Sequence, residues 1–238
     1  MPSNQPDRIG VRKTLGHLAV HYRTREDGPV AAKLLDLLGF ARVRSPEGYP
    51  YFHYVVDGGA TNNGDGILFI MEQPQALQEL GSAIREALKV DQPGEHPVVA
   101  KVRAAHDSDP EYDLHLGVLF NSLEEIEARV LRIRDAALSD PDLRGRVKVI
   151  LNRARPGTAA VDERLDKSPI FRGVERFTYG RNGIQAFIET DLFVTGALGD
   201  KFVFELDYVF PGYSDNILTN PAGVSLEPEG AVAASSAD

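Results

Sequence analysis

Residues 15–22, LGHLAVHY, alternate in polarity: Gly16, Leu18, Val20 and Tyr22 fall on one side and His17, Ala19 and His21 on the other. A period of two predicts a half-buried strand. The polar turn RTREDG follows, then Pro29, which suits a first helical turn. Val30, Leu34, Leu35 and Leu38 mark one helical face, and Gly39 closes it. Strand-like runs come next at 41–44, 51–57 and 66–72, the last two separated by Gly58, Gly59 and the polar run 61–65. This stretch reads β-α-β-β-β.

After Pro74, Leu77, Leu80, Ile84 and Leu88 recur at spacings of three and four and predict a helix. VDQPGEHP reads as a linker, continued by a short apolar run at 98–102 and the polar AHDSDPE. Residues 113–120, DLHLGVLF, open a second unit. Ser122 and Glu125 have capping-box spacing ahead of a helix whose stripe is Leu123, Ile126, Val130, Ile133 and Ala137. Strands are predicted at 147–152, 184–190 and 201–210. Residues 153–183 are an insertion rich in charge and glycine, with a short strand near 176–179 and the properties of a mobile lid. The order is again β-α-β-β-β.

The divisions expected are a flexible arm at 1–11, a first module at 12–74 and a connecting helix and linker at 75–110. A second module follows at 111–212, then a tail at 213–238, disordered from about residue 227, where only small, acidic and proline residues remain.

The two opening strands match: His17-Leu18-Ala19-Val20 and His115-Leu116-Gly117-Val118 both spell HLxV. Each is followed by an amphipathic helix, and each unit closes on an apolar strand with a glutamate, Glu72 in ILFIME and Glu205 in KFVFE. Two such units make a pseudo-symmetric pair, not a solenoid. Paired β-α-β-β-β modules with these strands resemble the vicinal oxygen chelate superfamily, which includes glyoxalase I, extradiol dioxygenases and the bleomycin- and fosfomycin-resistance proteins. The resemblance covers most of residues 14–210. The 153–183 insertion and the extra helix between the modules depart from it. It implies an α+β fold in which the two modules form one curved mixed sheet, a half-barrel with helices outside.

The resemblance also implies a divalent metal (Fe, Mn, Ni or Zn) held by residues of the first and last strands of the modules. The matching positions are His17, Glu72, His115 and Glu205. Strand alternation independently puts His115 and Glu205 on polar faces, with Asp207 beside Glu205 as a substitute. Glu72 shares a face with Leu68 and Ile70, so it reads as a fourth ligand, a catalytic carboxylate or a solvated strand end. His53, among Tyr51, Phe52 and Tyr54, is a candidate acid–base group, or an edge residue packed among aromatics. His21 is a further pocket candidate, and His96 and His106 sit in polar connectors.

Composition narrows the partners. Thirty-five acidic against 26 basic residues give a net charge of −9, which disfavours nucleic-acid binding. The absence of cysteine removes disulfides, thiolate metal sites and cysteine nucleophiles. No stretch approaches the roughly 20 apolar residues of a membrane span, and the first residues have no apolar core of a secretory signal. A cytoplasmic location is expected, with a small-molecule substrate, no nucleic-acid or membrane partner, and a homodimer as an open alternative to a monomer. HExxH, GxGxxG, GxxxxGK[ST] and GxSxG are all missing. Two functions stay open: a metal-dependent dioxygenase, isomerase or lyase acting on a small oxygenated substrate, and a metal-free protein that sequesters a small molecule.

Overall fold

The computed structural model describes residues 16–43, 51–56, 66–196, 198 and 201–213. The expected arm at 1–11, the loop at 58–65 and the tail beyond 213 lie outside the described residues. The chain divides into two compact units, Met1–Gln73 and Pro74–Asp238.

The first unit contains β1 (His17–Tyr22), α1 (Asp27–Leu38), β2 (Ala41–Val43), β3 (Tyr51–Val55) and β4 (Ile67–Glu72). Its strands run in the order β2-β3-β4-β1, antiparallel except for the parallel β1–β4 pair. α1 packs on β1 and β4. Ala31, Ala32, Leu34, Leu35 and Leu38 are buried on the helix, and Leu68, Ile70 and Tyr54 on the sheet. Each of the buried leucines and Ile70 contributes about 1.5–3 kcal/mol by leaving water. The Tyr54 hydroxyl reaches the Ala32 carbonyl and the Asp36 carboxylate, both at 3.1 Å, and so ties sheet to helix. Gly28 permits the close approach of Tyr22: a Cβ there would lie 2.9 Å from the Tyr22 ring.

The second unit begins with α2 (Gln75–Ala87), α3 (Pro97–Ser108) and a 3-10 turn at Pro110–Tyr112. β5 (His115–Phe120), α4 (Leu123–Ser139), β6 (Val147–Asn152), α5 (Ala159–Asp166), β7 (Gly183–Thr190), β8 (Phe193–Val194) and β9 (Phe202–Val209) complete it. Four strands form a sheet in the order β5-β9-β7-β6, with β5 parallel to β9 and the other pairs antiparallel. This repeats the first unit: opening strand parallel to closing strand, a helix after the opening strand, and an antiparallel pair at the far edge. The α+β class and the paired βαβββ pattern are therefore present, with two mixed sheets. α4 buries Leu123, Ile126, Val130 and Ile133, the stripe expected from the sequence, and the Ser122 hydroxyl caps the Glu125 amide at 3.3 Å.

Two segments differ from the sequence reading. Residues 97–108, read as an apolar run and a polar connector, form α3. Pro97 occupies its first turn, and the His96 imidazole accepts from the Val98 amide at 3.2 Å. Residues 153–183, read as a charged mobile insertion, contribute to the core: Ala154, Val161, Leu165, Ile170 and Phe171 are buried. Arg164 explains the misleading charge. It is bidentate to Glu127 at 3.0 and 3.1 Å and reaches Glu124 at 2.8 Å, which fastens α5 to α4. The short strand expected near 176–179 is reduced to one bridge between Arg153 and Phe177.

Phe193, Phe202 and Phe204 pack with ring centroids 4.9–5.6 Å apart and are almost fully buried. Phe204→Ala leaves a cavity at their centre. A loss of about 3–5 kcal/mol is expected, read as a lower denaturant midpoint at unchanged slope. A loss below about 1 kcal/mol would contradict this packing.

Candidate metal site

β9 is an interior strand of the second sheet, flanked by β5 and β7. Its Phe202, Phe204 and Leu206 alternate with Val203, Glu205 and Asp207. The β5–β9 register sets Gly117 opposite Glu205 and Leu119 opposite Asp207, with His115 one alternate position before Gly117. These residues therefore share one face. From β7, Phe187 pairs with Glu205 and Gln185 with Asp207.

The pairing brings His115 Nε2 to 3.4 Å from Glu205 Oε2. The turn ahead of β5 adds Glu111, whose Oε2 is 3.9 Å from the same nitrogen. One donor atom from each of Glu111, His115 and Glu205 lies within 4.8 Å of the others. The His115 Nδ1 is 2.9 Å from the Asp113 carbonyl. A carbonyl only accepts, so Nδ1 carries a hydrogen, and in the neutral ring Nε2 is the lone-pair nitrogen facing the carboxylates. Gln185 Nε2 donates to Glu111 Oε1 at 2.8 Å and to Glu205 Oε1 at 2.5 Å. The amide thus holds one oxygen of each glutamate and leaves the second oxygen for His115. Gly117 leaves room beside the acids: a Cβ there would lie 3.6 Å from Asp207 and 3.8 Å from Glu205.

Glu205 and Asp207 are buried. Burial, the Glu205 charge beside it and a hydrogen bond to Glu205 push Asp207 up to about 8. Glu205 is also raised, by burial and by Glu111, against the opposing bonds from Asp207 and Gln185. The two groups hold one proton between them near neutrality, with Asp207 the donor. They line a half-open cleft of about 610 Å³ whose other walls include Leu119, Ile184, Tyr208 and Val209. The tip of the 153–183 segment, Thr178 to Gly180, also lines it.

Of the residues singled out in the sequence, the structure brings His115 and Glu205 together. Glu111 was missed: its four-residue spacing to His115 has meaning only if a turn carries it back over the strand, and the sequence reading left it in the polar connector ahead of the strand. His17 and Glu72 do not converge. β1 and β4 pair His17 with Ile67 and Tyr22 with Glu72, so the two lie at opposite ends and on opposite faces of the pair. Glu72 ends its strand exposed to solvent. The register also shows why matching the two glutamates misled. Ala19 faces Phe69 as Gly117 faces Glu205, so Phe69 is the counterpart of Glu205, and Glu72 corresponds to Tyr208. Three residues separate Phe69 from Glu72, and an odd offset reverses the face. In the first unit His17 and His53 pack edge-on to Phe69, with centroids at 5.3 and 4.7 Å. Burial lowers the His53 pKa, so its imidazole is neutral within this aromatic cluster.

No protein-family model matches the chain, and no curated protein matches it. Among solved structures the chain is similar to a glyoxalase/bleomycin resistance protein/dioxygenase family enzyme from Burkholderia phytofirmans PsJN. The identity is 12% over 83% of this chain and 100% of that one, with a TM-score of 0.34. It is also similar to a hypothetical protein from S. aureus (14% identity, 82% of this chain and 93% of that one, TM-score 0.32). A third is an integron cassette protein from the mobile metagenome of the Halifax Harbour sewage outfall (12%, 82% and 98%, TM-score 0.32). At such TM-scores these likenesses carry no weight for function.

Proposed function

We propose that the second unit holds a divalent metal ion on Glu111, His115 and Glu205, and that it acts there as a dioxygenase, isomerase or lyase on a small oxygenated substrate. The convergence of three donor atoms within 4.8 Å carries this reading. The donor set fits an ion: two carboxylates and an imidazole whose lone pair is turned inward, with Gly117 leaving space beside them. Among Fe, Mn, Ni and Zn, two carboxylates with one imidazole suit Mn(II) or Fe(II) best. A bound ion supplies polarisation of a substrate oxygen and stabilises charge developing there.

The chain's own groups have distinct tasks. Gln185 orients both glutamates through its two hydrogen bonds. Asp207 keeps a proton on its carboxyl near neutrality, within the cleft and next to Glu205, so it is the acid of the site. The apolar wall excludes water around the polar end. Resemblance to the vicinal oxygen chelate superfamily in the HLxV strands supports the same assignment.

A second reading, binding without an ion, is favoured by one observation: the Gln185 amide already bonds both glutamates of the cluster. Calorimetric titration of tag-free, chelator-treated protein with Mn(II) separates the two. Wild type is expected to bind, and His115→Ala and Glu205→Gln to lose at least tenfold in affinity. At about 100 times Kd the ion should stabilise wild type by about 2.7 kcal/mol. Glu72→Ala, at an exposed strand end, should leave the titration unchanged. Wild type taking up no Mn(II), Fe(II), Ni(II) or Zn(II) would leave the metal-free reading.

The Asp207 carboxyl sets a pH dependence. Its folded pKa of about 8 lies above the ordinary aspartate value, so the folded state binds more protons between the two. Stability therefore falls as pH rises through that window, by up to about 1.4 kcal/mol per pH unit. Thermal melts of the chelated protein from pH 5 to pH 8.5 should show this fall, and Asp207→Asn should flatten it. Equal slopes in both proteins would rule out Asp207 as the proton holder.

A further inference from the structure

The charges lining the cleft select among ligands. Its lining includes three acidic side chains, Glu111, Glu205 and Asp207, and, among the described residues, no lysine or arginine. Arg155 is bonded near the wall, but its Nε–H is donated to the Thr178 carbonyl at 2.9 Å. A divalent ion held by two of these three carboxylates brings no more positive charge than its ligands offset. An anionic ligand is therefore repelled by the empty site and meets no surplus positive charge when an ion is present. The chain's net charge of −9 adds repulsion at longer range. The remaining walls are largely apolar, and Leu119 stands 48% exposed on the same face as Gly117.

We infer that the cleft takes an uncharged, largely apolar molecule with a hydroxyl or carbonyl oxygen at one end, and rejects organic acids and phosphate esters. Within the proposed function this fixes the substrate class, and it rests on that reading for the oxygen-bearing end. A volume of about 610 Å³ matches a small-molecule site, not a peptide groove. The exclusion of acids does not depend on the ion, since neither the empty nor the loaded site carries positive charge.

The test compares 2-naphthol, uncharged near pH 7, with 2-naphthoate, of similar shape but anionic. Each is titrated into the full chain by calorimetry, with and without Mn(II), and Mn(II) is titrated separately without either probe. 2-Naphthol should bind at least about tenfold more tightly than 2-naphthoate, a difference of about 1.4 kcal/mol. Leu119→Lys places a cation at a half-exposed wall position where folding tolerates it, and should raise naphthoate affinity in protein without Mn(II). Naphthoate binding as tightly as naphthol, no naphthol binding up to millimolar concentration, or no gain for naphthoate in Leu119→Lys would overturn the inference. Failure of Mn(II) uptake with the naphthol preference intact would instead remove the metal and leave the ligand class standing.

Discussion

Glu205 and Asp207 sit two residues apart on the interior strand β9, facing the same way and largely out of water. Two buried carboxylates this close cannot both stay ionised at modest cost. The surrounding residues answer that constraint. Asp207 keeps a proton and shares it with Glu205, Gln185 donates from β7, and Gly117 on β5 adds no side chain to the space beside them. His115 then meets Glu205 with its lone pair inward because Asp113 fixes the ring from behind. Removing the acid pair would leave Gln185, Gly117 and the His115 tautomer without a common purpose.

The first unit repeats the topology with different side chains at the matching positions. At the register position of Glu205 it places Phe69, and the imidazoles of His17 and His53 pack on that ring. An aromatic core site and a polar site thus stand on one strand plan, the difference lying in the side chains at equivalent register positions. Tyr54 and Gly28 show the first unit resolving helix–sheet packing alone, by a hydroxyl anchored on α1 and a glycine under Tyr22.

The repeat was legible because period-two strands followed by period-3.6 helices leave a strong pattern, as in HLAVHY and in the α4 stripe from Leu123 to Ile133. His115 and Glu205 were legible for the same reason: alternation alone assigns their faces. The readings of Glu72 stayed open because strand register is set by cross-strand pairing, which the sequence does not display. Three residues past the position of Phe69, it is a solvated strand end. Glu111 was hidden in a turn, α3 behind a proline that starts a helix as readily as it ends one, and the buried half of 153–183 behind charges that pair with α4.

Crystals of the protein soaked in Mn(II), with diffraction recorded at a wavelength where manganese scatters anomalously, test the site most directly. One strong anomalous peak is expected within coordination distance of His115 Nε2 and of a carboxylate oxygen of both Glu111 and Glu205. No peak there at saturating Mn(II), or a peak elsewhere with these three side chains unchanged, would contradict a metal centre in the second unit.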